Sequence, residues 1–170
     1  MANTDGPTRE RISITAYELL KEKGVSGLSM RALADRLHIK APSLYKHVAD
    51  KDEIIADLQA RGLREFGEAI KKAGKSRKAK ALAYRKWALG NPHLYEITVS
   101  IPLLRDRIPP GLEDGVTKMI IEITGKDHAH ARAVWALMHG LVDLEIAGRF
   151  PKDADLDLTW KRAIAMIGKA

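Results

Sequence analysis

Apolar residues recur three and four positions apart along almost the whole chain, and this spacing is the strongest constraint on its fold. An α-helix turns once every 3.6 residues, so the spacing puts those residues on one face of successive helices. No run of alternating apolar and polar residues is flanked by hairpin turns. The sequence therefore predicts an all-α chain of about nine helices.

Glycine and proline residues interrupt the helical pattern and divide the chain into three regions. We expect a three-helix head over residues 1–50, a connecting helix over 51–73 and a helical body over 74–170. Helices in the body are expected over 76–89, 92–100, 112–123, 127–149 and from 155 or 157 onward. The stretch 133–142 has no charged residue, which predicts a helix buried on all sides.

Three sites in the N-terminal part have the residue types that begin helices. Ser29 is a good N-cap for a second short helix. Pro42 suits the first position of a third helix, with Ala41 as a poor N-cap before it. Asp50 and Glu53 have the spacing of a capping box at the start of the connecting helix.

The composition excludes several classes of protein. The 170 residues contain no cysteine, which rules out disulfides, thiolate metal sites and cysteine nucleophiles and fits a reducing compartment. The longest uncharged stretch is about half the ~20 apolar residues that a membrane span needs. We therefore expect a cytoplasmic protein with no membrane segment.

The net charge of +7 is concentrated in one part of the chain. Residues 61–90 carry 10 basic and 2 acidic side chains, mostly in the basic run 71–80. Two interpretations stay open: a solvated surface, or a site for an anionic ligand or flanking DNA.

Residues 29–48 form two short amphipathic helices joined by a tight turn at residues 38–40, which is the plan of a helix-turn-helix. In the second helix, Leu44 and Val48 define the inward face. The side chains predicted to point outward or to lie at the edge are Pro42, Ser43, Tyr45 and Lys46. Such a surface suits the major groove of double-stranded DNA.

Flanking groups suit contacts with phosphates, which fix the register on DNA without reading its sequence. A poor cap at Ala41 would leave the amides of Ser43 and Leu44 free for a phosphate. The backbone amides at the start of the connecting helix are likewise expected to be free for a phosphate, and Lys51 adds a positive charge there. Arg31 is placed to reach the opposite strand. Alternatively, the three helices only form a packed head, in which Tyr45 is half-buried.

The runs LSMRALA (28–34), PSLYKHV (42–48) and DKDEII (50–55) resemble the N-terminal domain of TetR-family transcriptional regulators, over roughly residues 8–58. The resemblance implies a homodimeric regulator, an inverted-repeat operator, and a C-terminal domain that holds a small-molecule effector and the dimer interface. By position it implies DNA contacts from Arg31, Ala41, Pro42, Tyr45, Lys46, His47 and Lys51. His38 departs from the glycine usual in the turn, although histidine tolerates a left-handed backbone better than most residues.

The body offers a second resemblance. Trp135, His139 and Gly140 resemble a set found in a TetR subgroup, over roughly residues 80–150. Trp135, His139 and Asp143 lie on one stripe of an otherwise apolar helix. One interpretation is an effector pocket that also includes Trp87, Tyr95 and Met138. The other is a core histidine, His139, whose ring is hydrogen-bonded to a backbone carbonyl or to Asp143.

The last two helices have more apolar surface than one small body hides, which predicts that they pair across a two-fold axis. The predicted interface residues are Gly140, Ile146, Trp160, Ile164 and Ile167. No catalytic or phosphate-binding motif is present, and His128 and His130 make a poor metal pair, so we predict no enzyme, no cofactor and no metal site. The rival hypothesis is an all-α small-molecule binding protein or enzyme centred on His139 and Asp143.

Overall fold

The computed structural model describes residues 8–114, 117, 120–121 and 128–167, and the regular structure of these residues is helical. Its α-helices are α1 (Arg9–Gly27), α2 (Met30–Arg36), α3 (Ala41–Leu44), α4 (Lys51–Lys72), α5 (Arg77–Gly90), α6 (Pro92–Tyr95), α7 (His128–Ile146) and α8 (Leu156–Ile167). Residues 112–114, 117, 120 and 121 are also helical, which brings the α-helical segments to nine, as predicted. The rest of the helix expected over 112–123 lies outside the described residues. None of the described helices is long and apolar enough to cross a membrane.

The chain forms two compact units. The N-terminal unit contains residues 1–63 and 93–110, and the C-terminal unit contains 64–92 and 111–170. These boundaries differ from the predicted division at residues 50 and 73, because the segment 93–110 packs with the N-terminal residues.

Helix α2 begins at its predicted cap, whereas α1 does not stop at Gly24, the end that the sequence predicts for it. Gly24 has a φ of 66° and kinks α1, which then continues to Gly27. Ser29 caps α2 by accepting a hydrogen bond from the Ala32 amide at 3.1 Å. His38 has a φ of 56°, so it adopts the left-handed conformation that the turn requires.

The start of α3 differs from the prediction. Lys40, in an extended conformation, is the N-cap, and Ala41 is the first helical residue, so the prediction of an Ala41 cap is wrong. The carbonyl of Lys40 accepts a hydrogen bond from the Ser43 amide at 2.8 Å. That amide is therefore not free for a phosphate, contrary to the prediction.

The capping box at α4 is present. The Asp50 carboxylate accepts a hydrogen bond from the Glu53 amide at 2.9 Å, and the Glu53 carboxylate accepts one from the Ala49 amide at 2.5 Å. The Ala49 amide and, next, the Arg9 guanidinium lower the pKa of Glu53. The carboxylates of Asp50 and Glu53 thus cap the start of α4. Because the Glu53 amide is hydrogen-bonded, the prediction that the amides there are free for a phosphate is wrong for this one.

Gln59 explains why the segment 93–110 belongs to the N-terminal unit. Its buried side-chain amide donates hydrogen bonds to the carbonyls of Ile97 and Pro102 at 3.1 and 3.0 Å. Its side-chain oxygen accepts one from the Leu104 amide at 3.0 Å. One turn along α4, a Cβ added to Gly62 would lie 1.9 Å from Thr98 Oγ1, so only glycine permits this close approach.

In the C-terminal unit, α5, α7 and α8 pack against one another. Arg85 of α5 donates hydrogen bonds to the carboxylates of Glu145 and Asp157, and the shortest distance to each carboxylate is 2.6 Å. The packing leaves Ala133 and Ala136 exposed within the uncharged stretch, and beyond it Leu144 is 43% exposed and Ile146 is also exposed. The prediction that this helix is buried on all sides is therefore wrong for a single chain, because the described helices packed against it, α5 and α8, do not cover its whole surface.

Candidate nucleic-acid interface and ligand site

The outer side of α3 and of the turn after it is polar and accessible. Leu44 and Val48 are buried, which confirms the predicted inward face, and the Tyr45 side chain is 53% exposed. The exposed neighbours of Tyr45 are Pro42, Lys46 and His47. We call these four residues the α3 surface. Ala41 and Ser43 are half-buried beside it.

Two cations of the same unit are also exposed. Arg31, in the first turn of α2, has a side chain that is 92% exposed and lies 4.0 Å from Asp35, too far for a strong ion pair. Lys51 is exposed at the first position of α4. Neither side chain has a packing role, so both remain available to an anionic partner.

Arg107 is a residue that sequence reasoning missed. Its guanidinium donates a hydrogen bond to the Asp50 carboxylate at 2.5 Å, and this contact is the largest cause of the lowered pKa of Asp50. The ion pair offsets a negative charge next to Lys51. Because 57 residues separate the partners, no local pattern could indicate the contact.

Another ion-pair cluster fixes α1 on α4. The Arg9 guanidinium contacts the carboxylates of Glu53 and Asp57, the latter at 3.1 Å. Glu53 is thereby held by both Arg9 and the Ala49 amide. The start of α4 and the start of α1 are thus joined through one carboxylate.

The C-terminal unit contains a cluster of aromatic rings. The ring of Phe66, on α4, lies 5.3 Å from Tyr84, 5.5 Å from Trp87 and 5.9 Å from Trp135, measured between centroids. Trp135 lies 5.4 Å from Tyr84. These separations are those of favourable aromatic pairs, so the rings form one packed wall.

This wall borders a cleft, which we call the aromatic cleft. It holds about 540 Å³ of empty space, including space open to solvent, and about 60 Å³ is accessible to the centre of a water molecule. Its described lining residues are Phe66, Ile70, Arg77, Lys80, Ala81, Tyr84, Ile120, Val134, Trp135, Met138 and Ile164. A mostly apolar cleft with a few polar groups is typical of a small-molecule site.

The structure brings together only part of the predicted effector site. Trp135 and Met138 line the cleft, and Trp87 lies in the adjoining aromatic cluster. The other three predicted residues lie elsewhere: His139, Asp143 and Tyr95. Tyr95 is buried in the N-terminal unit.

His139 stacks on Trp135 with an angle of 4° between the rings. Its Nε2 lies 3.4 Å from Asp143 Oδ2. This contact supports the alternative in which Asp143 satisfies His139. Among the residues described, no group of three or more His, Asp and Glu side chains could hold a metal ion.

Sequence reasoning missed most of the cleft, since only Trp135 and Met138 of its described lining residues were predicted for the effector site. The residues not identified for this site were Ile120, Val134, Ile164, Phe66, Ile70, Arg77, Lys80, Ala81 and Tyr84. The last four lie at positions i, i+3, i+4 and i+7 of α5, the spacing of one helix face. That face combines cations with apolar groups, which is the signal that could have indicated it.

The predicted dimer interface also changes. Ile146 is exposed, and Gly140 faces open space, since a Cβ added there would meet no atom within 4 Å. Trp160 is only 1% exposed and donates a hydrogen bond to Glu145, so it belongs to the core of its own chain and we remove it from the interface. Ile164 lines the aromatic cleft, and the side chain of Ile167 lies outside the described part. Exposed apolar residues that were missed are Leu144, Leu158 and Met166.

Both parts of the chain resemble known proteins. A family model for bacterial regulatory proteins of the tetR family matches residues 14–58, and one for the tetracyclin repressor-like C-terminal domain matches residues 78–167. YobS of Bacillus subtilis (strain 168), an uncharacterized HTH-type transcriptional regulator, is 30% identical over 165 residues, which cover 89% of this chain and 85% of YobS. These matches favour the regulator over the rival binding protein or enzyme.

Solved structures have the same fold. The regulatory protein SCO4313 superposes with a TM-score of 0.74 at 24% identity, covering 94% of each chain. A TetR variant from Acinetobacter baumannii AYE, solved in complex with minocycline, superposes with a TM-score of 0.62 at 22% identity, covering 93% of this chain and 92% of the other. The resemblance to the Trp-His-Gly subgroup is not tested by these matches and stays a prediction.

Proposed function

The chain belongs to the TetR family of bacterial regulatory proteins and is a DNA-binding transcriptional regulator, and from this premise we propose that it is a homodimeric repressor released from its operator by a small molecule. The observation that carries the proposal is the α3 surface, whose four side chains are exposed to solvent. Such regulators act where the chromosome is, so the proposed location is the cytoplasm. The family consists of regulators rather than enzymes, which supports the prediction that the chain catalyses no reaction.

The α3 surface reads the sequence of the operator. Tyr45 and Lys46 enter the major groove, where an aromatic ring and an ammonium group contact base edges. Arg31 and Lys51 bind phosphates on either side and fix the register of the head. The Arg107–Asp50 ion pair supports this arrangement, because it offsets one of the two carboxylates that flank Lys51 in the sequence.

The dimer forms through the exposed apolar residues of α7 and α8. Leu144 and Ile146 on α7 and Leu158 and Met166 on α8 are large apolar side chains that one chain leaves in water. Their burial against a second copy is favourable by about 25 cal/mol for each Å² of apolar surface. A two-fold dimer reads two half-sites about 34–36 Å apart, which predicts an inverted repeat.

Effector binding in the aromatic cleft changes the affinity for DNA through α4. This helix carries Phe66 and Ile70 of the cleft near its C-terminal end and Lys51 at its start. An effector that binds more tightly to the conformation with weaker DNA affinity shifts the population toward that conformation. Because the coupling is reciprocal, the operator must weaken effector binding by the same factor.

In vitro selection from random duplex DNA tests the proposal, followed by binding of the enriched pool over a salt series. The expected result is one enriched inverted repeat, bound at least about a thousandfold more tightly than random DNA. The unselected pool, measured at each salt concentration, is the control for purely electrostatic binding. Salt-sensitive binding without an enriched sequence contradicts the proposal.

A further inference from the structure

The aromatic cleft has a wall of one chemical kind. Aromatic rings and aliphatic side chains form most of it, with Trp135, Met138 and Val134 contributed by α7. No carboxylate is among its described lining residues. The wall therefore favours an apolar body, and its described residues offer no carboxylate to form an ion pair with a cation.

Among the described residues that line the cleft, the charged ones are two cations of α5. Arg77 and Lys80 lie at positions i and i+3, so they share one side of the helix. Both lie in the first turns of α5, where the helix dipole adds positive potential. The α5 N-cap, Ser76, is neutral and accepts a hydrogen bond from the Ala79 amide at 3.3 Å.

These two cations differ from Arg85 and Lys71 of the same unit in having no carboxylate within ion-pair distance in the described part of the chain. Arg85 contacts both Glu145 and Asp157, and Lys71 lies 3.8 Å from Glu68. Of the basic run 71–80, only Arg77 and Lys80 border the cleft. The basic run thus contains residues that are exposed to solvent and two residues, Arg77 and Lys80, that border the cleft.

We propose that the ligand of the aromatic cleft is a small amphipathic anion, with an apolar ring system and one anionic group. The anionic group binds Arg77 and Lys80, and the ring system packs against Trp135 and Met138. The inference rests on the proposed function and deepens it, since it names the chemical class of the effector. It also predicts that neutral analogues bind more weakly and that cationic ones are excluded.

A matched pair of fluorescent probes tests the proposal. 1-Anilinonaphthalene-8-sulfonate and N-phenyl-1-naphthylamine share one ring skeleton, and only the first carries a negative charge. Binding of each is titrated to the full-length wild type, to the double variant Arg77→Ala/Lys80→Ala and to Lys78→Ala. Lys78 is the control, since it is an exposed lysine of the same helix that does not line this cleft.

The wild type is expected to bind the anionic probe more tightly than the neutral one, with an affinity that falls as salt is added. The double variant raises the Kd of the anionic probe by about tenfold and leaves that of the neutral probe within about twofold, a difference of about 1.4 kcal/mol. Lys78→Ala leaves both values within about twofold. The unchanged neutral probe shows that the double variant is folded.

Equal affinity for the two probes, or equal losses in the double variant and in Lys78→Ala, overturns the proposal. A failure of this proposal can be distinguished from a failure of the proposed function. If selection enriches an operator while the anionic probe ignores Arg77 and Lys80, the regulator stands and the ligand class is wrong. If no operator is found but the probes behave as expected, the anion site stands without a regulatory role.

Discussion

The N-terminal and C-terminal units leave different kinds of side chain exposed to solvent. The N-terminal unit exposes Tyr45, Lys46 and His47 beside a fully buried Leu44. The C-terminal unit exposes Leu144 and other apolar side chains of α7 and α8. The N-terminal unit thus offers a polar surface around α3, whereas the C-terminal unit leaves apolar surface on α7 and α8, which we propose a second copy covers. The proposed DNA reading and dimer formation are therefore separable properties, which substitutions can test one at a time.

The largest contrast is expected between two leucine truncations. Leu44→Ala removes a completely buried side chain and should lower the free energy of unfolding by about 2–5 kcal/mol. Leu144→Ala removes an exposed one and should change it by about 0.5 kcal/mol or less at protein concentrations where the chain is monomeric. Urea unfolding at several concentrations measures both values. Similar losses at low concentration would break the comparison.

Two side-chain amides offer a second contrast. Gln59→Ala leaves three backbone partners, one buried and two partly buried, without their hydrogen bonds and should cost about 2–3 kcal/mol. Asn91→Ala in the C-terminal unit removes one hydrogen bond, to the Trp87 carbonyl, and should cost about 1 kcal/mol. The same unfolding experiment compares them. A larger loss for Asn91→Ala would contradict the role given to Gln59.

The sequence predicted what depends on neighbours along the chain. The Ser29 cap, the Asp50–Glu53 capping box and the outward direction of Lys46 each follow from residues within one or two turns. It could not predict Arg107 on Asp50, because that contact joins distant segments.

The same limit applies to the body. Apolar spacing predicts that Trp160 is buried, as it is. It does not distinguish burial in the core of the chain from burial in an interface, since both cover apolar surface. The cleft was missed for a related reason: Phe66, Arg77 and Trp135 come from three helices, and only the folded chain brings them together.

Dimer formation should depend on α7 and not on exposed leucines in general. Leu144→Lys should raise the dimer dissociation constant at least about tenfold, because it puts a charge into an apolar contact. Leu89→Lys is the matched control, since Leu89 is 38% exposed on α5, outside the proposed interface. Sedimentation equilibrium measures both. Equal effects of the two variants, or a wild type that stays monomeric at micromolar concentration, would rule out this interface.

A smaller effect is expected at the turn before α3. His38→Gly removes the cost of a left-handed residue, about 1–2 kcal/mol, but adds freedom to the unfolded chain, so a net stabilisation of about 0.5 kcal/mol is expected. His38→Val should instead destabilise by about 1–2 kcal/mol, because a β-branched side chain strongly disfavours this conformation. Thermal unfolding of both variants checks the sign. A destabilised glycine variant would show that the His38 side chain contributes contacts of its own.

The smallest effect is a pH dependence confined to the N-terminal unit. The folded chain holds the pKa of Glu53 below its ordinary value, through the Ala49 amide and then Arg9. A lowered pKa adds stability at pH values above the unfolded pKa of about 4.3 and loses it as the pH falls toward the folded value. Glu53→Gln should therefore lose less stability than the wild type between about pH 5 and pH 3. An identical pH dependence of unfolding would contradict this assignment.

The affinity of a double variant for the selected operator tests the central claim most directly. Tyr45→Ala/Lys46→Ala changes two exposed side chains, so its unfolding free energy should match that of the wild type. Its affinity for the operator should fall at least about thirtyfold, toward that for random DNA, because the two base contacts are worth about 1–3 kcal/mol each. The exposed Lys152→Ala, which removes one positive charge from the C-terminal unit, should bind the operator as the wild type does. A double variant that binds the operator as tightly as the Lys152→Ala protein would contradict the account, since the α3 surface would then not read DNA.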